Sequence, residues 1–278
     1  MLTLRAMTEA DVPLGMRLKR EAEWNQTEAD WRRFLRLEPD GCFVAEWEGQ
    51  ACGTTTTCVL GSVAWIAMVL VTGSARGRGI GTALLEHALV YLGGRGVPTV
   101  RLDATAAGQP LYERLGFAGE YELARWVGEP ALAGAAEASL PYAPEHLPAV
   151  AALDALVTGA QRGRLLARLA ADASAGRVTL RGGEVTGYLF SRAGETAGQI
   201  GPGAATGQAD GEALLRAELT RWRGRRVLVD VPRANAAATA LARAAGLAEQ
   251  RSFLRMFRGE PVQDRPEWLW ASSGPEKG

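Results

Sequence analysis

Several patterns in this 278-residue chain occur twice, about 130 residues apart, and a repeat of that length is a whole domain rather than a solenoid unit. Thr8-Glu9-Ala10-Asp11-Val12-Pro13, a helix opening with a Thr-x-x-Asp capping pattern, returns as Ala143-Pro144-Glu145-His146-Leu147-Pro148. The hairpin pattern from Phe43 to Gly53 returns from Arg177 to Gly187, and Gly81-Thr82-Ala83-Leu84-Leu85 returns as Gly211-Glu212-Ala213-Leu214-Leu215. Leu111 and Gly116 match Leu241 and Gly246 at the same spacing. The spacing predicts one domain over 1–128 and a second over 140–260. An Ala/Gly-rich linker over 129–139 joins them, and an extended tail over 261–278 docks Trp268 and Trp270 on a surface. Each half reads as strand, helices, antiparallel hairpins, then strand–helix–strand–helix–strand. The fold class is therefore α/β (α+β), a mixed, mostly antiparallel sheet flanked by helices, written twice.

Bulk properties exclude several functions. Lys and Arg together balance Asp and Glu at 31 each, so no net charge argues for nucleic acid or an anionic membrane as partner. Cys42, Cys52 and Cys58 are odd in number and lack metal spacing, while His87 and His146 lie far apart, so no metal is expected and the thiols read as reduced. The N-terminus lacks the apolar run of a secretion signal, and the apolar stretch from Cys58 to Val71 is too short for a membrane helix. A cytoplasmic protein is expected.

The chemistry is concentrated in Val69-Leu70-Val71-Thr72-Gly73-Ser74-Ala75-Arg76-Gly77-Arg78-Gly79-Ile80-Gly81-Thr82-Ala83-Leu84-Leu85. A β-branched run ends, a basic glycine-rich loop follows, and a helix starts at once. That order aims free backbone N–H groups at an anion such as pyrophosphate, and the glycines let the backbone approach it. The dinucleotide fingerprint fails, because the sixth place after Gly77 is Thr82 and after Gly79 is Leu84. The nucleoside-triphosphate loop also fails, because Gly81 rather than Lys precedes Thr82. Arg-x-x-Gly-x-Gly, at Arg76, Gly79 and Gly81, fits.

Together with the preceding strand and the later Leu111-Tyr112-Glu113-Arg114-Leu115-Gly116-Phe117, this loop resembles the acetyl-CoA-binding core of the GNAT superfamily of N-acetyltransferases. Trp24-Asn25-Gln26 with Asp30-Trp31, and Asp154, Gly159, Arg162, Ile200-Gly201-Pro202, Arg255-Met256 and Gly259, resemble a tandem branch with an active first domain and a degenerate second one. The resemblance implies that backbone groups from Gly77 to Thr82, Ile80 and Gly81 included, hold the pyrophosphate, with Arg76 and Arg78 supplying charge. It implies that Met68, Val69, Leu70 and Val71 pair with the pantetheine arm, which is compatible with a plain buried strand because those contacts are main-chain. Tyr112 falls at the proton donor's place, against the plainer reading of a tyrosine packed on the sheet. The usual Asn before its helix is replaced by Ala106-Ala107-Gly108-Gln109-Pro110, where Gly108 lets the chain pass close to the donor.

The base is less defined. Asp103 is the candidate, with turn capping as the competing role because Asp230 holds the matching place in the second half. Glu46 is another candidate on a hairpin. Asn25 and Gln26 are expected to orient the acceptor amine and Asp30 to attract a cation, unless Asp30 only caps the helix before Trp31. In the second half Thr206, Gly207, Gln208, Ala209, Asp210 and Gly211 replace the loop, and Ala242 replaces Tyr112. Asp210 satisfies the helix dipole and repels a second anion. The expected function is acetyl-CoA-dependent acetylation of a small primary amine by direct transfer in a ternary complex, in a monomer or homodimer, with the second domain shaping the acceptor site. The alternative is a non-catalytic acyl-CoA-binding regulatory module.

Overall fold

A computed structural model describes residues 1–132 and 138–278; the middle of the expected linker, 133–137, lies outside the described residues. The first half runs β1 (Leu2–Ala6), α1 (Val12–Glu21), α2 (Glu28–Leu37), β2 (Cys42–Trp47), β3 (Gln50–Leu60), β4 (Val63–Val71), α3 (Ile80–Gly94), β5 (Thr99–Ala104), α4 (Gln109–Arg114) and β6 (Ala118–Gly128). The second half repeats it as β7 (Leu140–Pro141), α5 (Leu147–Thr158), α6 (Gly163–Asp172), β8 (Ala175–Arg181), β9 (Glu184–Ala193), β10 (Gly198–Ala205), α7 (Gln208–Arg221), β11 (Val227–Pro232), α8 (Ala236–Ala244) and β12 (Ala248–Gly259). Among the described residues, no helix is long and apolar enough to cross a membrane.

The strands join in the order β1-β2-β3-β4-β5-β12-β6-β11-β10-β9-β8-β7, which reads the same way from either end except that the last strand of each repeat is exchanged. β12 pairs antiparallel with β5 of the first repeat, β6 pairs antiparallel with β11 of the second, and β6 and β12 pair with each other. Residue 128 is therefore the end of a chain segment but not a seam in the packing. Two matching ion pairs clasp the exchanged strands. Arg255 on β12 donates to both oxygens of Asp103 on β5 at 2.9 and 3.0 Å. Arg125 on β6 does the same to Asp230 on β11 at 2.7 and 2.8 Å. All four side chains are buried.

Side-chain parity in β4 decides which helices cover which face. Trp65 points toward a cluster with Trp31 and Phe34 of α2, whereas Ala64 and Ile66 point toward α3 through Leu84 and Leu85. Alternation then fails: Ala67 and Met68 both face the α2 side. The cause is a bulge, seen as a register shift against β3 between Thr54 and Thr56 and a φ of 51° at Met68.

The expected tail is part of the fold. β13 (Leu269–Ala271) adds antiparallel to β10, and Trp270 is buried, while Trp268 is half-buried under Arg265. Ser272, Ser273, Glu276 and Lys277 beyond it are also buried.

Because each clasp desolvates a full charge, Asp230→Ala should cost about 3–5 kcal/mol by stranding Arg125. Replacing Arg125 and Asp230 together by Met and Leu should cost much less. Urea unfolding measures both, and equal losses would show that the cost of Asp230→Ala is not that of a stranded charge.

Candidate active site

β4 and β5 are parallel neighbours only from Val63 to Trp65, opposite Thr99 to Arg101, and then separate. The bulge makes the separation possible. Its carbonyls stay satisfied because Thr54 Oγ1 donates to the Met68 carbonyl at 2.9 Å and Thr55 Oγ1 to that of Ala67 at 3.3 Å. The edge of β4 from Met68 to Val71 thus faces a gap instead of a strand, open to an extended ligand that pairs main chain to main chain.

At the end of that edge the chain turns into the loop. Thr72 Oγ1 and the Gly73 N–H donate to Glu21 at the end of α1, and Arg76 Nε donates back to the Val71 carbonyl at 3.0 Å. Gly77 and Gly79 take φ values of 77° and 75°, and a Cβ at either would meet nothing within 4 Å. The backbone N–H groups from Gly77 to Thr82 have no acceptor among the described residues. They converge at the start of α3, where the helix dipole adds positive potential. Ile80 anchors the turn in the core, and Arg78 stacks over Trp47 at 5.4 Å.

A cavity of about 670 Å³ fills the gap between the strands. Met68, Val69, Leu70, Val71, Arg76 and Gly81 line its donor end, and Gly108 and Tyr112 line one wall. The Tyr112 ring lies so close to Gly108 that a Cβ there would stand 2.9 Å from Cε2, so Gly108 is the seat of the tyrosine. Burial pushes the phenol up to about 12, which keeps it a proton donor across the physiological range. At the other end the cavity reaches Trp24, Gln26, Arg125, Arg251, Phe253 and Glu276.

These features coincide with family comparisons. Residues 7–117 match a model of the acetyltransferase (GNAT) family, and residues 150–271 match a second acetyltransferase (GNAT) domain model. This chain belongs to the GNAT acetyltransferase family. A relative, the N-alpha-acetyltransferase MAK3 of Arabidopsis thaliana, is 35% identical over 95 residues, 31% of this chain and 50% of that protein. The chain thus spans about half the length of that curated relative. A solved Pyrococcus horikoshii protein superposes over 100% of this chain and 96% of its own, with a TM-score of 0.86 and 22% identity. A tandem GNAT protein from the clavulanic acid biosynthesis pathway covers 95% of this chain and 100% of its own, with a TM-score of 0.64 and 16% identity. Both likenesses concern the fold.

Several expected roles in this GNAT protein need correction. Asp103 borders the cavity, but both its oxygens are held by Arg255, so it clasps β12 and is not a free base. Glu46 pairs with Arg5 at 2.7 Å, away from the cavity lining. Asp30 closes the cap of α2 by accepting from Thr27, then meets Arg33, Arg192 and Lys277. Burial works against its charge, yet those cations hold the carboxyl well below the usual range. Asp30 therefore joins the two repeats and offers no oxygen to an acceptor. Asn25 is spent likewise: it donates to the Ala197 carbonyl and accepts from the Thr196 and Ala197 N–H groups. Gln26 does reach the cavity, oriented by donation to Glu276 Oε2 at 3.0 Å. Arg251, Phe253 and Glu276, which also line the cavity, were not singled out from sequence. The alternation Arg251, Phe253, Arg255 along one strand face was the available signal.

The second GNAT repeat opens the same gap, since β10 and β11 pair only from Gly198 to Ile200. Here β13 fills it: Leu269 and Ala271 pair with β10, and the Ser272 N–H donates to the Asp230 carbonyl of β11. Asn235 Nδ2 holds the Leu269 carbonyl at 3.2 Å, and a Cβ on Gly211, the counterpart of Gly81, would fall 1.8 Å from the Trp270 indole. Asp210 lies in the first turn of α7 and accepts from Arg181 and Thr186. Because the cleft is filled by the chain itself, Asp210→Gly should not open it to acyl-CoA. Calorimetric titration with acetyl-CoA should show no binding event gained by the substitution; a gained one would mean that the strand yields to ligand.

Proposed function

We propose that this protein is an acetyl-CoA-dependent N-acetyltransferase with one donor site per chain, in the first repeat, acting on a small primary amine by direct transfer in a ternary complex. The observation that carries this reading is the convergence of an unpaired β4 edge, unsatisfied amides at the start of α3 and Tyr112 on one cavity. The loop amides bind the pyrophosphate and the β4 edge aligns the thioester arm, which removes much of the entropic cost of bringing donor and acceptor together. Gln26 orients the amine from the opposite end.

In the reaction the amine nitrogen attacks the thioester carbonyl, the C–N bond forms, and the C–S bond breaks. Tyr112 gives its proton to the departing thiolate and recovers one from solvent. The amine proton leaves through water, because Asp103 is neutralised by Arg255 and Glu276 by Arg192 and Lys277. Glu21 keeps its oxygens on Thr72 and Gly73 at the mouth of the loop. The reading places the protein in the cytoplasm as a monomer or homodimer. Its three free, buried cysteines suit a reducing compartment.

Tyr112→Phe should lower kcat by about 10²–10⁴ while leaving acetyl-CoA affinity nearly unchanged. Gly79→Asp should abolish donor binding in a calorimetric titration. One binding event without thiol release on any amine would favour the regulatory-module alternative. The pH dependence has a definite sign. A donor must be protonated, and the Tyr112 phenol is raised to about 12, so its ionisation should not reduce kcat below about pH 11. A falling limb near pH 10 that disappears in Tyr112→Phe would contradict this burial effect.

A further inference from the structure

We propose that the acceptor carries an anionic group beside its amine and that Arg251 on β12 binds that group; the inference rests on the acetyl-transfer reading above. The argument is one of charge pairing. In the acceptor half of the cavity, Asp103 is matched by Arg255, and Arg125 by Asp230. Glu276 is matched by Arg192 and Lys277. Arg125 is further fixed over the Phe253 ring at 4.9 Å. Arg251 stands directly across from Arg125 in the β12–β6 register, and no carboxylate lies within ion-pair distance of it among the described residues.

Arg251 also lines a second cleft of about 490 Å³ that shares Trp24 and Arg125 with the main cavity. That cleft adds Arg226, likewise without an ion-pair partner among the described residues, whereas Lys19 and Arg20 there share Glu195. Exposed Glu23 faces Arg251 at longer range. Burial and Arg125 outweigh Asp230 and Glu23 and press the Arg251 guanidinium below its ordinary value, as happens to a cation short of anions.

A guanidinium fork in that setting binds a carboxylate or phosphate through two parallel hydrogen bonds. It serves the chemistry as well. A cation near the acceptor disfavours the ammonium form, so more of the amine is free to attack where the nearby carboxylates Asp103 and Glu276 are already paired.

The test uses matched acceptors: lysine against cadaverine, and O-phosphoethanolamine against ethanolamine. Thiol release is measured for the full chain, Arg251→Gln and Arg251→Lys. The anionic member of at least one pair should be preferred about tenfold or more in kcat/KM, as one charge-assisted bidentate contact allows. The preference should collapse in Arg251→Gln, mostly through KM, and return in part in Arg251→Lys. The pair showing the larger preference separates a carboxylate from a phosphate acceptor.

A second arm reads binding alone, by titrating the anionic acceptors into CoA-saturated protein. Binding that weakens in Arg251→Gln supports the inference even where turnover is absent, whereas turnover failure with one acetyl-CoA bound counts against the transfer reading. Equal use of both members of each pair, or binding indifferent to Arg251, overturns the inference.

Discussion

The structure depends on two buried arginine–aspartate clasps, Arg255 with Asp103 and Arg125 with Asp230. Each crosses from one repeat to the other, and each secures a strand inserted into a sheet it did not start in. A buried ion pair is a weak source of net stability but a strong source of specificity, because an arginine left without its carboxylate is costly. The pairs therefore penalise any arrangement that would leave either arginine buried without its carboxylate. A continuous sheet follows, and with it a cavity whose donor end belongs to the first repeat and whose far wall, Arg251 and Phe253, belongs to the second.

On this symmetric frame the two clefts diverge for local reasons. Both sheets separate past a short parallel ladder, β4 from β5 and β10 from β11. In the first repeat, glycines of positive φ keep the helix start open. In the second, Asp210 puts a carboxylate held by Arg181 and Thr186 into the first turn of the helix, and β13 occupies the gap between the strands. The same strand-pairing physics thus opens one cleft to a ligand and closes the other with the chain's own tail. Beyond β13 the chain returns to the first repeat, where the Pro275 carbonyl accepts from Trp65 Nε1 and Glu276 orients Gln26. The segment that shuts the second cleft also finishes the wall of the first.

What was legible in the sequence was local. The loop from Arg76 to Thr82 could be read because its shape resides in backbone groups whose geometry follows from glycine placement and the helix start. The place of Tyr112 on the cavity wall follows from its segment, and the departure of the second loop from the first shows in Asp210. Asp103 could not be settled the same way. Its carboxylate looked equally suited to base or structural work until its partner, Arg255, arrived from 152 positions along the chain. Asn25 and Asp30 sit in the expected helical region, yet their partners lie in the other repeat.

The sequence by itself determined the repeat, the fold class, the open glycine-rich loop before α3 and the loss of that loop in the second half, because each is encoded by contiguous residues and short-range backbone preferences. Only the tertiary structure decided the strand exchange, the fate of the tail, and which polar residues face the cavity. Those outcomes depend on which distant charge reaches a buried carboxylate or amide first. A chain read one segment at a time does not contain that competition.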